Sequence, residues 1–254
     1  MNMLIWNVRR FNHLLKQKEV VSRIRRLNIK FACLLETRVK QHKMQEIVNK
    51  PFAGWSLFHN YSEAYNGRIW MLWNGDTQVD LYAITDQSIT CRIQQDHKTF
   101  YFSAIYGCNE GLDRRRLWSH LLSLQNSFVG EPWLLSGDFN IIAHPSKSFP
   151  KPQGVSSEMR EFTDAMIQLS IFDHVYTGLI FTWTNHQPDG FLARKLDRVL
   201  INDIWLSRFP HSSVEFLPLR SRIIVQLLYK CNKWLKVIQS HLYSSISGES
   251  MLIS

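Results

Sequence analysis

The sequence is poor in cysteine, has no apolar run long enough to cross a membrane, and carries fewer acidic than basic side chains. Its four cysteines, Cys33, Cys91, Cys108 and Cys231, are scattered over 254 residues without CxxC spacing. That excludes a disulfide framework and a structural zinc site as organising features, and points to a reducing, intracellular setting. The first residues are charged throughout and lack an apolar stretch, so no secretory leader is expected. Asn60-Tyr61-Ser62 is then a glycosylation acceptor in name only. Repeats and low-complexity segments are absent as well, and 45% hydrophobic content suffices for one substantial core in a single α/β domain. The shortage of acids leaves a formal charge of +9, with basic clusters at Arg9-Arg10, Arg23/Arg25/Arg26 and Arg114-Arg115-Arg116. Such a balance suits a polyanionic partner such as nucleic acid.

What is present is a series of apolar runs that each end on a polar side chain. Residues 3–8 read as a strand presenting Asn7, and residues 31–35 (FACLL) as a buried strand followed by Glu36-Thr37-Arg38. Between them, Val20, Val21, Ile24 and Leu27 recur at helical spacing, which predicts an amphipathic helix over 16–28. A short helix over 41–50 precedes aromatic and β-branched runs at 55–61, 67–73, 79–84, 89–94 and 98–106, the last ending on Tyr106. Leu117, Leu121, Leu124 and Phe128 line one face of a helix over 113–128, and a second helix over 156–170 has Ser156 at its N-terminus. Strands follow at 179–185, 194–201 and 214–218, the middle one carrying Asp197 within an apolar run, where a carboxylate needs a partner.

The centre of the pattern is PWLLSGDFN, residues 132–140, in which a short buried strand breaks at Ser136-Gly137 and lifts Asp138 and Asn140 to its tip. Alone, an Asp and an Asn after a strand form a turn, and Glu36 pairs with Arg38. Together, Asn7, Glu36, Tyr106, Asp138 and Asn140 suit one chemistry if their strand ends share a sheet edge. They supply a hard oxygen ligand for Mg²⁺, a base, amide groups and a phenol for a phosphate oxygen.

The ordered motifs WNVR at Trp6, LLETR at Leu34, IYGCN at Ile105, GDFN at Gly137 and KLDRVL at Lys195 resemble the endonuclease/exonuclease/phosphatase superfamily. GRIWMLW at Gly67, PWLL at Pro132, FTWTN at Phe181 and FPHSSVEFLP at Phe209 resemble, more narrowly, the endonuclease domain of plant LINE-type retrotransposons. The resemblance covers residues 3–218 and implies a four-layer α/β sandwich, two packed and mostly antiparallel sheets flanked by helices. It implies phosphodiester hydrolysis with Mg²⁺ (or Mn²⁺), DNA as the partner, no membrane, and a nuclear setting if the retroelement reading holds. By position it makes Glu36 the metal ligand with Asn7 beside it. Tyr106 then contacts the phosphate, Asp138 orients or deprotonates the water, Asn140 supports it, and Asp197 orients a histidine.

That histidine is missing. The family's Ser-Asp-His-Ser/Cys-Pro belongs just after FLP, where this chain reads LRSRIIVQLL. Arg222 to Gln226 can be encoded CGG ATC ATT GTC CAA, and one base out of frame this gives Asp-His-Cys-Pro. We therefore expect residues 1–218 to form the family domain, C-terminally incomplete, and 219–254 to be a frameshifted, non-homologous tail. His186, His211 and His241 are candidate substitutes without supporting spacing. Arg10 stands where the family has Gly after WNVR, and HPSKSFPKP replaces its acidic, glycine-rich loop after GDFN. The reading is an impaired endonuclease. Its alternatives are an inactive nucleic-acid-binding remnant, a phosphatase of the same superfamily, and a product that does not fold stably. Oligomeric state and the residues that touch DNA are left unset.

Overall fold

The computed structural model describes residues 1–9, 11–65, 67–75, 77–95, 97–187, 189–218 and 223–229. Strand β1 (Asn2–Asn7) shows why the sequence lacks strict alternation: Met3 and Ile5 enter one core while Leu4 and Trp6 enter another on the opposite face. A strand covered on both faces is apolar throughout. The same holds for β2 (Phe31–Leu35), whose five residues are all buried.

Helices α1 (Leu14–Arg26) and α2 (Gln41–Asn49) flank β2, and β3 (Ser56–His59), β4 (Ile69–Trp73), β5 (Gln78–Ile84), β6 (Ser88–Gln95) and β7 (Lys98–Tyr106) follow. Then come α3 (Gly111–Gln125), β8 (Trp133–Asp138), β9 (Ser148–Phe149), α4 (Ser157–Gln168), β10 (Ile171–Asp173) and β11 (Tyr176–Gly178). The remainder is β12 (Trp183–Thr184), β13 (Ala193–Arg194), β14 (Asp197–Asn202), α5 (Asp203–Arg208), β15 (Ser212–Pro218) and β16 (Ile223–Tyr229).

One seven-stranded sheet has the order β11-β15-β16-β1-β2-β4-β3, the six-stranded one β10-β14-β8-β7-β6-β5, and β12-β13-β9 form a small third sheet. Among these pairings β1–β2, β7–β8 and β11–β15 are parallel, so the sheets are mostly antiparallel as expected. The core between the two large sheets takes Ile5, Cys33, Met71, Phe102 and Leu134. Val20 and Ile24 of α1 and Ile47 of α2 cover the outer face of the first sheet, and Leu117 and Leu121 of α3 with Phe162 of α4 cover that of the second. This is the four-layer α/β sandwich.

Strands β9, β10 and β11 and helix α5 are not expected from the sequence, and three further places depart from the expected element map. The run 179–185 holds strand only at Trp183–Thr184, because the pairing of β11 with β15 stops at Gly178. There φ is +91° and an added Cβ would lie 2.3 Å from the Phe216 carbonyl oxygen. The run 194–201 is split between β13 and β14, since the N–H groups of Leu196 and Asp197 both turn to the Thr182 hydroxyl, at 2.9 and 2.8 Å. Beyond Pro218, the backbone of β16 lies antiparallel between β1 and β15, with Ile224 opposite Trp6 and Ile223 opposite Pro218. The place left for a last strand is thus filled, by a β-branched run that suits a sheet whatever its reading frame.

Gly137 carries the tip of β8. Its φ is +145°, and an added Cβ would sit 2.0 Å from the Ile105 carbonyl oxygen in neighbouring β7. We expect Gly137→Ala to destabilise the domain by about 3 kcal/mol or more, through backbone strain and forced separation of the central strands. Urea unfolding reads this directly, and a loss below about 1 kcal/mol would contradict it.

Candidate active site

The sheet register brings the strand ends together. Asn7 ends β1 and Asp138 ends β8, and Asn7 Nδ2 donates to Asp138 Oδ2 at 3.0 Å, joining the edges of the two large sheets. Beyond the turn, the Asn140 N–H donates to Asp138 Oδ1 at 3.0 Å, and Asn140 Nδ2 donates to the Gly107 carbonyl at 2.7 Å. Asn140 holds this with φ +51°, a left-handed conformation that Asn tolerates better than most residues. Its NH₂ is therefore engaged with backbone, and what it offers a ligand is Oδ1. Tyr106 lies opposite Asp138 in the β7–β8 pair, and Asp197 opposite Asp138 in the β14–β8 pair.

Buried Glu36, just past β2, completes the group, but its carboxylate is already paired. Arg9 Nε reaches Oε2 and Arg38 Nη2 reaches Oε1, both at 2.5 Å. The Glu36–Arg38 pair that the sequence offered as a purely structural alternative is thus formed. Arg9, Glu36 and Arg38 all have positive φ, at +27°, +54° and +52°. Three non-glycine residues so held around one carboxylate mark strain concentrated at this edge. Beside them a cavity of about 570 Å³ is lined by Glu36, Arg38, Lys40, Arg68, Tyr106 and Cys108, among others. The Arg68 guanidinium lies 5.7 Å from the centre of the Tyr106 ring.

Burial dominates the proton affinities. It pushes the Asp138 carboxyl up to about 6, against the hydrogen bonds from Asn140 and Asn7, with the Glu36 charge adding to the rise. The Tyr106 hydroxyl goes up to about 12, through burial and then the Glu36 and Asp138 charges, so the phenol stays protonated and can donate. Asp197 is raised well above the carboxylate range by burial and by Asp138 across the strand pair. Two acids on neighbouring strands resist ionising together. Near Asp197 the structure adds a residue not singled out from the sequence, Lys195. Its side chain is buried, its Nζ has no hydrogen-bond partner, and it sits 3.2 Å from the Tyr176 ring centre and 4.4 Å from that of Phe216. Burial lowers its ammonium to about 7, while the two ring faces offset part of that desolvation.

The candidate histidines do not gather here. The His186 ring bonds to Thr184, His211 is exposed, and His241 lies outside the described residues. Buried His174 bonds to Ser212 and Val175. Among the described residues no histidine hydrogen-bonds to Asp138 or Asp197. The basic triplet also differs from the surface cluster its sequence suggests. Buried Arg114 donates to the Cys108 and Asn109 carbonyls and to Glu158, Arg115 pairs with Glu161, and Arg116 with Asp86 and Asp113. Arg114 fixes the loop behind Tyr106 and is not available to a polyanion.

Among the described residues no three His, Cys, Asp or Glu side chains cluster closely enough to hold a metal ion by themselves. The oxygen set nevertheless fits a hard divalent cation, because Asn7 Oδ1 is buried without a hydrogen-bond partner on the same edge as Glu36. Magnesium sites commonly use one or two carboxylates and complete the shell with water and substrate phosphate.

The mixed sandwich has the fold of the endonuclease/exonuclease/phosphatase superfamily. The structure is similar to that of the endonuclease domain of TRAS1, a telomere-specific non-LTR retrotransposon, with TM-score 0.70 and 11% identity over 91% of this chain and 99% of that one. It is also similar to the 3′ phosphatase NExo from Neisseria bound to a product DNA hairpin (TM-score 0.68, 16% identity, 91% and 100% covered). A third similar structure is the AP endonuclease LMAP from Leishmania major (TM-score 0.67, 14% identity, 89% and 86% covered). No protein-family model and no curated protein matches the sequence. No helix among the described residues is long and apolar enough to cross a membrane.

Proposed function

We propose that the chain is a DNA-nicking, divalent-metal-dependent phosphodiesterase domain of LINE-retrotransposon type, working at reduced rate. The observation that carries this reading is the Asp138 carboxylate, held between Asn7 and Asn140 on the edge that also presents Glu36 and Tyr106. Asp138 accepts the proton of a water as its oxygen bonds to phosphorus and the P–O bond to the leaving strand breaks. Tyr106, protonated, donates to a phosphate oxygen. Asn140 fixes Asp138 through its backbone N–H. Glu36 and Asn7 Oδ1 hold Mg²⁺ or Mn²⁺, which when bound supplies Lewis-acid polarisation of the phosphate. Among the described residues Asp197 has no imidazole partner such as the family resemblance assigns to it, and loss of one preorganised donor typically lowers the rate about 100- to 1,000-fold.

The main rival, an inactive nucleic-acid-binding remnant, draws on the same missing histidine and on the pairing of Glu36 with two arginines. Nicking of supercoiled plasmid in Mg²⁺, with EDTA and Asp138→Ala as controls, separates the two. We expect slow nicking that EDTA abolishes and that Asp138→Ala lowers at least about 100-fold. Plasmid binding without any nicking would favour the remnant.

A further inference from the structure

Arg9 and Arg38 occupy both oxygens of the one carboxylate proposed to meet a metal ion, so bound metal and bound arginines compete for the same atoms. The mobile partners are the arginines. Side-chain exposure is 41% for Arg9 and 62% for Arg38 but 4% for Glu36. A dication arriving at Glu36 repels both guanidinium groups and replaces them on the oxygens. Each arginine then has its full fork of donors free beside the reacting edge. A planar fork of N–H donors fits the phosphate diester of a nucleic-acid strand, and Arg38 already lines the cavity that Lys40, Arg68 and Tyr106 share.

We propose that Arg9 and Arg38 are exchange residues: they hold Glu36 while no cation is bound, and move to the phosphates of a nucleic-acid strand once a divalent cation takes the carboxylate. This rests on the metal-dependent reading above and adds to it the residues that touch the substrate backbone. Metal binding and strand binding then favour each other, because the cation releases the groups that grip the strand.

The test reads two affinities of opposite sign. The full chain carrying Asp138→Ala, which slows cleavage at least about 100-fold, serves as reference, with Arg38→Met, Arg9→Met and Arg38→Lys added singly. Free Mn²⁺ is followed by electron paramagnetic resonance, and a short DNA duplex by fluorescence anisotropy in Mn²⁺ and in EDTA. Either methionine variant is expected to bind Mn²⁺ about 3- to 5-fold more tightly, the worth of one partly exposed ion pair. It is expected to bind duplex about tenfold more weakly in Mn²⁺, with a salt slope smaller by about one, and with little change in EDTA. Arg38→Lys, which keeps the charge and loses the fork, lies between. A role confined to stability moves both affinities the same way. The exchange is overturned by Mn²⁺ affinity that is unchanged or lower, by equal loss of duplex binding in Mn²⁺ and EDTA, or by absence of Mn²⁺ binding to the reference chain. Nicking by the unsubstituted chain is scored separately: exchange without nicking sinks the hydrolytic reading alone, and nicking without exchange sinks this proposal alone.

Discussion

Replacing Asp138 by Asn is expected to lower nicking at least about 100-fold and, at pH 8, to stabilise the domain by about 1–2 kcal/mol. Both effects have one cause. The Asp138 carboxyl sits near 6 instead of its ordinary 3.8, chiefly because burial penalises the charge, so its ionised form is less favourable in the fold than in the unfolded chain. Below about pH 3.8 both states are protonated and there is no penalty. As pH rises toward 6 the unfolded chain gives up its proton first, stability falls, and above about pH 6 the full penalty persists. Asparagine, neutral throughout, escapes that loss but has one acceptor oxygen for the two donors that Asp138 serves, so it keeps the Asn140 N–H and the Asn7 amide must turn its free Oδ1 to the new NH₂, which is why the gain is set below the whole shift. Urea unfolding of both proteins at pH 4.5, 6 and 8 checks it. The variant's advantage grows across the series, and an advantage independent of pH would refute the electrostatic cause. In the absence of metal this is a base kept ready at the expense of stability, as residues poised for chemistry often are.

The legible part of the site was its list of residues, and the illegible part was what surrounds them. Asn7, Glu36, Tyr106 and Asp138 could be found because a buried strand is apolar to its end, so a polar residue at the boundary stands out in a single sequence. That Asp197 lies directly opposite Asp138 could not be found, because register between strands some sixty residues apart is fixed by the whole sheet. The arginines were misread for a related reason. A triplet at a helix start counts as surface charge in the sequence, yet Arg114 turns inward to satisfy the carbonyls of the loop after Tyr106. Arg9 read as half of a basic cluster, and it in fact joins Arg38, the partner that the sequence did offer, on the Glu36 carboxylate. Lys195 was passed over because no local pattern announces a buried ammonium held against two rings contributed by β11 and β15. Element ends failed where side chains compete with the ladder, as Thr182 does at the start of β14.

The chain with its hidden Asp-His-Cys-Pro frame restored from residue 222 onward is expected to nick about 100- to 1,000-fold faster than the chain as it stands, the usual worth of one preorganised donor to a developing oxyanion. The restored proline cannot donate to a ladder, so it must lie ahead of the strand that runs between β1 and β15 and not within β16 as it now pairs. Asp197 supplies the reason to expect the gain. Its carboxyl is buried, raised by burial and by Asp138, and held by Thr182, with the Lys195 charge countering the rise. An imidazolium beside it would stabilise the ionised carboxylate and draw its proton affinity down, while the carboxylate fixed the tautomer and tilt of the ring. A carboxyl ¹³C titration of Asp197 therefore falls in pH with the restored frame, in step with the gain in rate. Faster nicking with an unmoved Asp197 would show the histidine acting without this acid. A restored chain that folds and nicks no faster would remove the ground for carrying the family's role to Asp197, and would leave Asp138 with its two asparagines as the whole of the working site.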